Sequence, residues 1–251
     1  MKETIVLTGA TGFVGKKMAL EILKKGYDLR VITRNIDKAR KVLPLPCTFH
    51  EWDGNSDFPE GYLAGATALI HLAGEPIAEN RWNNSVKNRI KKSRTEGTSF
   101  IIEALKKCND GPKVVVGTSA IGIYGDRESE ILNEDSAKGN GFLAEVCEKW
   151  EKAYGQPQAR LVILRVGVVL GYGGALEKML PPFRMGAGGK LASGKQWMSW
   201  IHRDDLVDLY LYALKTSDMN GTFNAVAPEA VTNSDFTKSL ANALARPALF
   251  P

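Results

Sequence analysis

Short apolar runs of strand length alternate with segments of helical period along the first two thirds of the chain. Runs such as 5–7, 114–116 and 161–164 are continuously apolar, which is typical of strands that are covered on both faces. The alternation predicts an α/β fold in which helices wrap a parallel sheet. The predicted strands are 4–8, 29–33, 47–51, 67–72, 113–118 and 160–166, and the predicted helices are 13–25, 36–42, 83–107 and 140–154.

After Arg165 the pattern becomes irregular. Glycine clusters at 171–174 and 186–189 and the pair Pro181-Pro182 predict loops in this part of the chain. The later elements are a strand near 197–201, a helix over 204–215, a strand over 222–226 and a helix over 233–245. We therefore expect a sheet domain over 1–165 and a smaller lobe over 166–251, interleaved with it, that forms the second wall of a cleft.

The first strand leads directly into a glycine-rich turn and then a helix. Gly9, Gly12 and Gly15 allow a tight turn, a close approach of the main chain to a diphosphate, and tight packing of the helix on the sheet. The helix N-terminus adds free N–H groups and the positive end of the helix dipole. The sequence therefore predicts a Rossmann-type, doubly wound domain that binds a dinucleotide. The residues predicted to form this turn are Thr8, Gly9, Thr11, Gly12, Phe13, Val14 and Gly15.

The end of the second predicted strand indicates which dinucleotide is bound. An NAD-preferring site places Asp or Glu there to accept hydrogen bonds from the ribose, whereas this chain has Arg34. A guanidinium can instead hold a 2′-phosphate, so we predict NADP(H) rather than NAD(H). The alternative for Arg34 is an exposed arginine at a strand end. Asp53, after the third strand, could accept a hydrogen bond from the adenine amino group or cap a turn.

Composition and charge narrow the possible partners. The chain has 251 residues, of which 44% are hydrophobic and 24% charged, as in an ordinary globular protein. Three widely spaced cysteines, the absence of a leader-like N-terminus and the lack of a long apolar stretch predict a cytoplasmic protein with no membrane partner and no metal. Six basic residues without a carboxylate lie between Arg81 and Arg94. A solvated or phosphate-facing helix explains them better than a nucleic-acid surface.

Several further strings make the chain similar to a known family. His71-Leu72-Ala73-Gly74, the segment 119–125 and the segment 200–206 resemble extended short-chain dehydrogenases/reductases. More narrowly, the chain resembles the atypical subgroup of sugar-nucleotide-epimerase-related "epimerase family" proteins of the NAD-dependent epimerase/dehydratase superfamily. The strings that carry this narrower likeness are Arg94–Thr98, Phe142–Cys147, Leu164–Gly171, Met179–Phe183 and Gln196–His202.

This resemblance implies a Rossmann domain that binds NADP(H) and a C-terminal substrate lobe. It also implies ancestry among enzymes that oxidise and reduce sugar-like hydroxyl groups, without naming a substrate. Members of the subgroup usually carry a further C-terminal extension that this sequence lacks. The family strings also predict cofactor contacts from Leu72, Ala73, Gly74, Arg94 and Thr118.

The usual proton-transfer residues of such enzymes are replaced in this chain. The chemistry uses a Tyr whose pKa is lowered by a Lys four residues later, together with a Ser or Thr that orients the substrate oxygen. None of the seven tyrosines is followed by Lys at that spacing. The resemblance places Phe142 or Leu143 at the Tyr position, Val146 or Cys147 at the Lys position, and Ala120 at the Ser/Thr position.

Neighbouring residues could take over proton transfer. We predict Tyr124, Ser119 and Glu145 as substitutes, although Glu145 is better explained as an ion-paired surface carboxylate and Tyr124 could be a wall residue. Cys147 fits a small core residue better than a nucleophile. Two functions remain open at this point. One is an NADP(H)-binding oxidoreductase or epimerase-like enzyme with non-standard acid/base residues, and the other is a non-catalytic NADP(H)-binding regulatory or redox-sensing protein.

The C-terminal lobe offers a candidate site for a small-molecule substrate. Lys190, Gln196, Trp197 and Trp200 form an aromatic and cationic cluster in the sequence that suits a flat or sugar-like ligand with negative charge. Packing of the tryptophans inside the lobe is the equal alternative. We also expect the basic helix to bring Arg94 near the cofactor phosphates, while its other face could meet a second subunit in a homodimer.

Overall fold

The computed structural model describes residues 2–79 and 81–248. Seven parallel strands form the central sheet in the order β10-β6-β5-β4-β1-β2-β3. The alternation of apolar strands and helices in the sequence thus corresponds to a doubly wound α/β fold, and the predicted fold class is confirmed. The strands are β1 (Thr4–Thr8), β2 (Asp28–Thr33), β3 (Thr48–Glu51), β4 (Ala68–His71), β5 (Val114–Ala120), β6 (Arg160–Val166) and β10 (Gly221–Ala225).

Helices cover both faces of this sheet. Side chains alternate along β1, so that Ile5 and Leu7 join one hydrophobic cluster and Val6 joins the other. On the first face, Met18 and Leu206 belong to helices that pack on the sheet. The helices that follow β4 and β5 cover the second face. Both faces of the strands are therefore buried, which explains their continuously apolar sequences. The helices are α1 (Phe13–Lys24), α2 (Ile36–Val42), α3 (Asn84–Lys107), α4 (Phe142–Tyr154) and α6 (Arg203–Lys215).

The segment after β6 contributes to the sheet as well as to the lobe. Strand β10 pairs in parallel with β6, and α6 packs on α1 across the first face. The remaining elements are two small two-stranded pairs and two helices. They are β7 (Val168–Leu170), α5 (Gly174–Arg184), β8 (Trp197–Met198), β9 (Trp200–His202), β11 (Val231–Thr232) and α7 (Asn233–Leu244).

Helix α5 corrects the sequence-based prediction of loops around Pro181-Pro182. Both prolines lie inside the helix, in its last turns, and Phe183 beside them is buried. A proline removes one helical hydrogen bond because it has no N–H. Near a helix end this loss is tolerable, and packing of α5 against α7 stabilises the helix. The prediction of loops rested on the local effect of proline and glycine and could not include the packing of α5 on α7.

Across the described residues, none of the helices has both the length and the apolar character needed to traverse a lipid bilayer.

Candidate functional site

A cavity of about 380 Å³ opens at the carboxyl edge of the sheet, where the strand order reverses between β1 and β4. Ligands bind at such a switch point in open α/β sheets. The cavity is lined by the ends of the first, second and fourth strands, by the segment after β3 and by one face of α3. Of the fourteen predicted cofactor residues, those that line it are Thr8, Gly9, Thr11, Gly12, Arg34, Asp53, Leu72, Ala73 and Gly74.

The glycine turn folds so tightly that side chains would not fit. Gly9 has a φ of +71°, and a Cβ there would lie 2.7 Å from the main-chain carbon of Leu72. A Cβ on Gly15 would lie 2.1 Å from the Gly9 oxygen. Helix α1 then begins at Phe13 with Gly12 as its N-cap and with no acidic residue in its first turn. The first N–H groups of the helix therefore remain available to an anion.

A buried polar network fixes the strand ends below the cavity. The Ala73 N–H donates to Thr8 Oγ1 (3.1 Å), and the Thr8 hydroxyl is hydrogen-bonded to His71 Nδ1 (2.7 Å). His71 Nε2 is hydrogen-bonded to Thr98 Oγ1 at 3.1 Å, and this hydroxyl also accepts from Trp150 Nε1 at 3.1 Å. Burial lowers the pKa of His71 to about 4, so its ring is neutral. His71 thus holds β1, β4 and α3 in register rather than handling protons.

The rim of the cavity is cationic. Arg34 follows β2, while Arg89 and Lys92 project from α3 on the other side of the cavity. Glu75 lies between the two arginines, with Oε2 3.9 Å from Arg34 Nη1 and Oε1 3.3 Å from Arg89 Nε. Arg89 and Lys92 were not among the site residues predicted from the sequence. The run of basic residues in α3 was the pattern that could have indicated them. Their spacing of three residues puts both on one helix face.

Asp53 lines the cavity, but its geometry is that of a turn cap. Its Oδ1 accepts hydrogen bonds from the Asn55 N–H (2.8 Å), the Ser56 N–H (3.1 Å) and the Ser56 hydroxyl (2.8 Å). The bond from the Asn55 N–H, followed by that from the Ser56 side chain, lowers the pKa of the Asp53 carboxyl. The capping alternative from the sequence therefore describes this residue, and its predicted contact with adenine stays a prediction.

Two predicted cofactor residues are engaged in the interior instead. Arg94 lies under Gly74, donates from Nη1 to the Glu75 carbonyl (3.0 Å), and stacks on the Trp150 ring at 5.0 Å. Burial lowers the pKa of the Arg94 guanidinium. Arg94 lies behind the wall and does not line the cavity, and its predicted contact with the cofactor phosphates stays a prediction. Thr118 donates from Oγ1 to the His71 carbonyl at 2.7 Å and likewise lies outside the cavity lining.

The other predicted turn residues act through their main chain and packing. The ring of Phe13 lies under the Arg203 guanidinium (5.2 Å), and a Cβ on Gly174 would lie 2.8 Å from that ring. Val14 packs on the hydrophobic cluster of the first face. Neither side chain lines the cavity. Phe13 therefore links the glycine turn to the N-terminal end of α5.

The candidates for the positions of the missing Tyr and Lys lie on different sides of α4. Leu143 Cβ lies 3.5 Å, and Cys147 Sγ 3.7 Å, from the Cβ position of Gly122, in the turn after β5. Phe142 makes an edge-to-face contact with Trp82 at 5.4 Å, on the side of α4 that faces α3. Burial raises the pKa of Cys147 to about 11, so the thiol is protonated and lies in the core.

Tyr124 and Ser119 belong to one buried hydrogen-bonded cluster. Arg165 forms a two-pronged ion pair with Glu151, from Nε to Oε1 (2.9 Å) and from Nη2 to Oε2 (3.0 Å). The Ser119 hydroxyl donates to Glu151 Oε1 at 2.6 Å. Tyr124 accepts from Arg165 Nη1 (2.9 Å) and donates to Asn224 Oδ1 (2.7 Å). Hydrogen bonding to Glu151 raises the pKa of Arg165, so its charge is permanent.

Ser119, Arg165 and Asn224 are cross-strand neighbours on β5, β6 and β10, so their side chains share one face of the sheet. Glu151 lies one helical turn after Cys147 on the same face of α4. Arg165, Glu151 and Asn224 were not predicted from the sequence, because no local sequence pattern indicates a charged pair inside an apolar sheet. The i, i+4 relation of Cys147 to Glu151 was the signal that could have located the carboxylate.

Glu145 does not join this cluster, and its predicted catalytic role stays a prediction. It lies two residues before Cys147, and at 100° per residue it projects from the other face of α4. Its side chain is half exposed and forms an ion pair with Lys149. This bond lowers the pKa of Glu145, as expected for the surface carboxylate that the sequence offered as the alternative.

The four predicted substrate residues lie in the lobe, outside the lining of the cavity. Gln196 donates from its side-chain amide to the Leu191 carbonyl at 2.9 Å. Trp197 is 50% exposed on β8, and Trp200 is partly buried on β9, in a different strand pair. Lys190 is exposed and lies against Gly194. Substrate contact by Lys190, Gln196, Trp197 and Trp200 therefore stays a prediction.

Comparison with known proteins agrees with this geometry. A family model described as the NAD dependent epimerase/dehydratase family matches residues 5–225. The chain is 37% identical to the chloroplastic epimerase family protein SDR39U1 homolog of Arabidopsis thaliana, over 99% of this chain and 73% of that protein. It is 33% identical to human epimerase family protein SDR39U1, over 98% of this chain and 82% of the relative. These relatives are thus longer than this chain.

Solved structures give the same assignment. Human SDR39U1 (isoform 2) with NADPH has a TM-score of 0.87 and 32% identity, over 99% of this chain and 82% of that one. A UDP-glucuronic acid 4-epimerase from Bacillus cereus has a TM-score of 0.84 at 20% identity, over 99% of this chain and 85% of the neighbour, and supports the fold alone. The cytoplasmic location stays a prediction, because one relative is chloroplastic. The chain belongs to the NAD dependent epimerase/dehydratase family and is a nicotinamide dinucleotide-binding protein of that family.

Proposed function

We propose that this protein binds NADP(H) in preference to NAD(H) and uses it in hydride transfer to or from a small-molecule substrate such as a nucleotide sugar. The observation that carries the preference is the cationic rim of the cavity. The residues at the end of β2 are Thr33, Arg34 and Asn35, so no carboxylate stands there to accept from ribose hydroxyls. Arg34, Arg89 and Lys92 together suit the additional phosphate of NADP(H).

The residues present fit such a cofactor. The main chain of the glycine turn and the free N–H groups of α1 would hold the diphosphate, because Gly9, Thr11 and Gly12 line the cavity and Gly12 is the N-cap of α1. The segment from Trp52 to Asn55 would cover the adenine, and the cationic rim would hold the 2′-phosphate. The SDR39U1 neighbour, whose structure includes NADPH, supports this choice of cofactor.

A direct test of the preference is replacement of Arg34 by alanine. Arg34 is 76% exposed, so solvent screens its charge, and we expect NADPH affinity to fall about tenfold. NADH affinity should stay within about twofold. Calorimetric titration with both dinucleotides measures the effect, and Arg40→Ala, in α2, serves as a control of equal charge. Equal losses for NADPH and NADH would contradict the proposed role of Arg34.

For the reaction itself, NADPH supplies the hydride when bound, and the chain must supply binding, orientation and proton transfer. Tyr124 is the proposed proton donor, because the fixed positive charge of Arg165 at 2.9 Å would stabilise the phenolate left behind. Ser119 and Glu151 position Arg165. The proposed step thus requires the Tyr124 hydroxyl to break its hydrogen bond to Asn224 Oδ1 and to donate to the substrate oxygen instead.

A second candidate function is that of an NADP(H)-binding protein without turnover. It is favoured because the hydrogen-bonding groups of the cluster around Arg165 already have partners. The Tyr124 hydroxyl already has two partners and Ser119 already donates to Glu151, so neither is free. Moreover, the residues expected at the usual Tyr position, Phe142 or Leu143, carry no acidic group. At the usual Lys position, Val146 carries none, and burial raises the pKa of Cys147 to about 11. This function needs only the dinucleotide site.

NADPH oxidation over a panel of carbonyl compounds and nucleotide sugars separates the two functions. For the enzyme, Tyr124→Phe should lower the rate by ~10²–10⁴ while NADPH affinity stays constant. Ser119→Ala, which removes a positioning contact, should have a smaller effect. Glu145→Gln, on the opposite helix face, is the matched control and should change neither quantity. No turnover over the panel would favour the binding function, whereas turnover at an unchanged rate in Tyr124→Phe would contradict the role of Tyr124 as proton donor.

A further inference from the structure

A mostly buried carboxylate lies where the two arginines of the cavity rim meet. Glu75 follows β4, and its side chain is 19% exposed, whereas the side chains of Arg34 and Arg89 are 76% and 50% exposed. Its two oxygens lie 3.9 Å from Arg34 and 3.3 Å from Arg89. The arginines come from opposite sides of the cavity, so the carboxylate occupies the place between them that another anion would take.

The main chain of Glu75 is held firmly from below. Its N–H donates to Ser93 Oγ at 3.0 Å, and its carbonyl accepts from Arg94 Nη1 at 3.0 Å. Arg94 is itself fixed by stacking on Trp150. Only the side chain of Glu75 is therefore free to turn, and this distinguishes Glu75 from an acidic residue on a mobile surface loop.

We propose that Glu75 is a specificity-determining residue of the dinucleotide site. In the free protein it is the resident counter-ion of Arg34 and Arg89. A 2′-phosphate displaces the carboxylate from the two guanidinium groups, whereas a 2′-hydroxyl donates a hydrogen bond to it. This inference rests on the proposed preference for NADP(H) and adds to it a residue that limits the preference.

Charge determines the sign of the effect. A 2′-phosphate carries nearly two negative charges, so it attracts the arginines more strongly than Glu75 does but is repelled by the carboxylate. At a separation of roughly 6 Å and a dielectric constant near that of water, as expected at an open rim, this repulsion raises the Kd for NADPH about tenfold. Glu75 therefore weakens NADPH binding and supports NADH binding. It reduces the difference between the NADPH and NADH affinities that Arg34 and Arg89 create.

The test compares Glu75→Gln with Glu96→Gln in the full chain. Glu96 is a matched control, since it pairs at 3.9 Å with the rim residue Lys92 but does not line the cavity. We expect Glu75→Gln to bind NADPH about tenfold more tightly and NADH no more tightly than the wild type does. Glu96→Gln should change both affinities by less than twofold. Titration with 2′,5′-ADP and with ADP isolates the contribution of the 2′-phosphate and should show the same gain for 2′,5′-ADP alone.

Two results would overturn the inference. Weaker binding of NADPH and 2′,5′-ADP by Glu75→Gln would mean that the carboxylate organises the arginines for the phosphate instead of competing with it. Equal responses of Glu75→Gln and Glu96→Gln would reduce Glu75 to a general surface charge. Failure of the proposed function is distinguishable from both, because the wild type itself would then bind NADPH and NADH equally.

Discussion

The close packing of α1 against the glycine turn can be tested by adding a single methyl group. In Gly15→Ala the new Cβ would lie 2.1 Å from the Gly9 oxygen and 2.7 Å from the Ala10 Cα, and both of these atoms belong to the main chain. Gly15 does not have a positive φ, so alanine suits its backbone conformation. The destabilising effect of the substitution therefore comes from this contact and not from backbone strain.

The contact is too short to be absorbed by a rotating side chain, so the turn or the helix must shift by about 1 Å. Such overpacking costs ~1–3 kcal/mol. Alanine regains up to ~1 kcal/mol of helix propensity. The free energy of unfolding should therefore fall by up to about 2 kcal/mol. Because the shifted atoms include the main chain around the N–H groups that face the diphosphate, we expect NADPH affinity to fall at least about tenfold, or ~1.4 kcal/mol.

The measurements are urea unfolding, followed by tryptophan fluorescence, and calorimetric titration with NADPH. Gly61→Ala is the matched control, because Gly61 has no neighbouring atom within 4 Å of its Cβ position and no positive φ. This control should change the free energy of unfolding by less than about 0.5 kcal/mol. If Gly15→Ala unfolds and binds NADPH as the control does, the proposed geometry of the turn is wrong.

Three further predictions concern the interior. Because the unfolded chain protonates His71 near pH 6.5 and the folded protein only near pH 4, the free energy of unfolding should decrease by about 3 kcal/mol between these values as the pH falls. His71→Gln should show a correspondingly flatter pH dependence in urea titrations, and an identical slope in both proteins would contradict a neutral, buried His71. The Cys147 thiol, protonated and 4% exposed, should react with a thiol reagent at pH 8 only after unfolding, later than the other two cysteines, and equal reaction rates for all three would refute its burial. Arg165→Met should lower the free energy of unfolding by about 3 kcal/mol because Glu151 loses its partner, and the double variant with Glu151→Leu should recover at least half of this loss. No recovery in the double variant would mean that the ion pair is not the source of the effect.

The parts of the fold that follow from local patterns could be predicted from the sequence. Strand β1, the glycine turn and α1 combine an apolar run, three spaced glycines and helical period, and each of these signals is local. The strands of the sheet agree with the prediction to within one or two residues. Helix α5 was missed because packing on α7 offsets the local cost of two prolines, and packing is invisible in the sequence.

The candidate site was predictable where it lies on the turn and the strand ends, and less so on the helices. In α3 the basic residues cover several faces, and only the tertiary structure reveals that Arg89 and Lys92 face the cavity while Arg94 is buried under Gly74. In α4 the choice of Glu145 ignored helical phase, which places Glu151 on the inward face with Cys147.

The most direct test of dinucleotide binding at the glycine turn and cationic rim is a calorimetric titration of the wild-type protein with NADPH and with NADH at low ionic strength. We predict saturable binding of one NADPH per chain and NADH binding at least about tenfold weaker, since NADH lacks the phosphate that Arg34, Arg89 and Lys92 would hold. The absence of heat from either dinucleotide with the folded protein would contradict dinucleotide binding at this cavity. Equal affinities would contradict the role of its cationic rim.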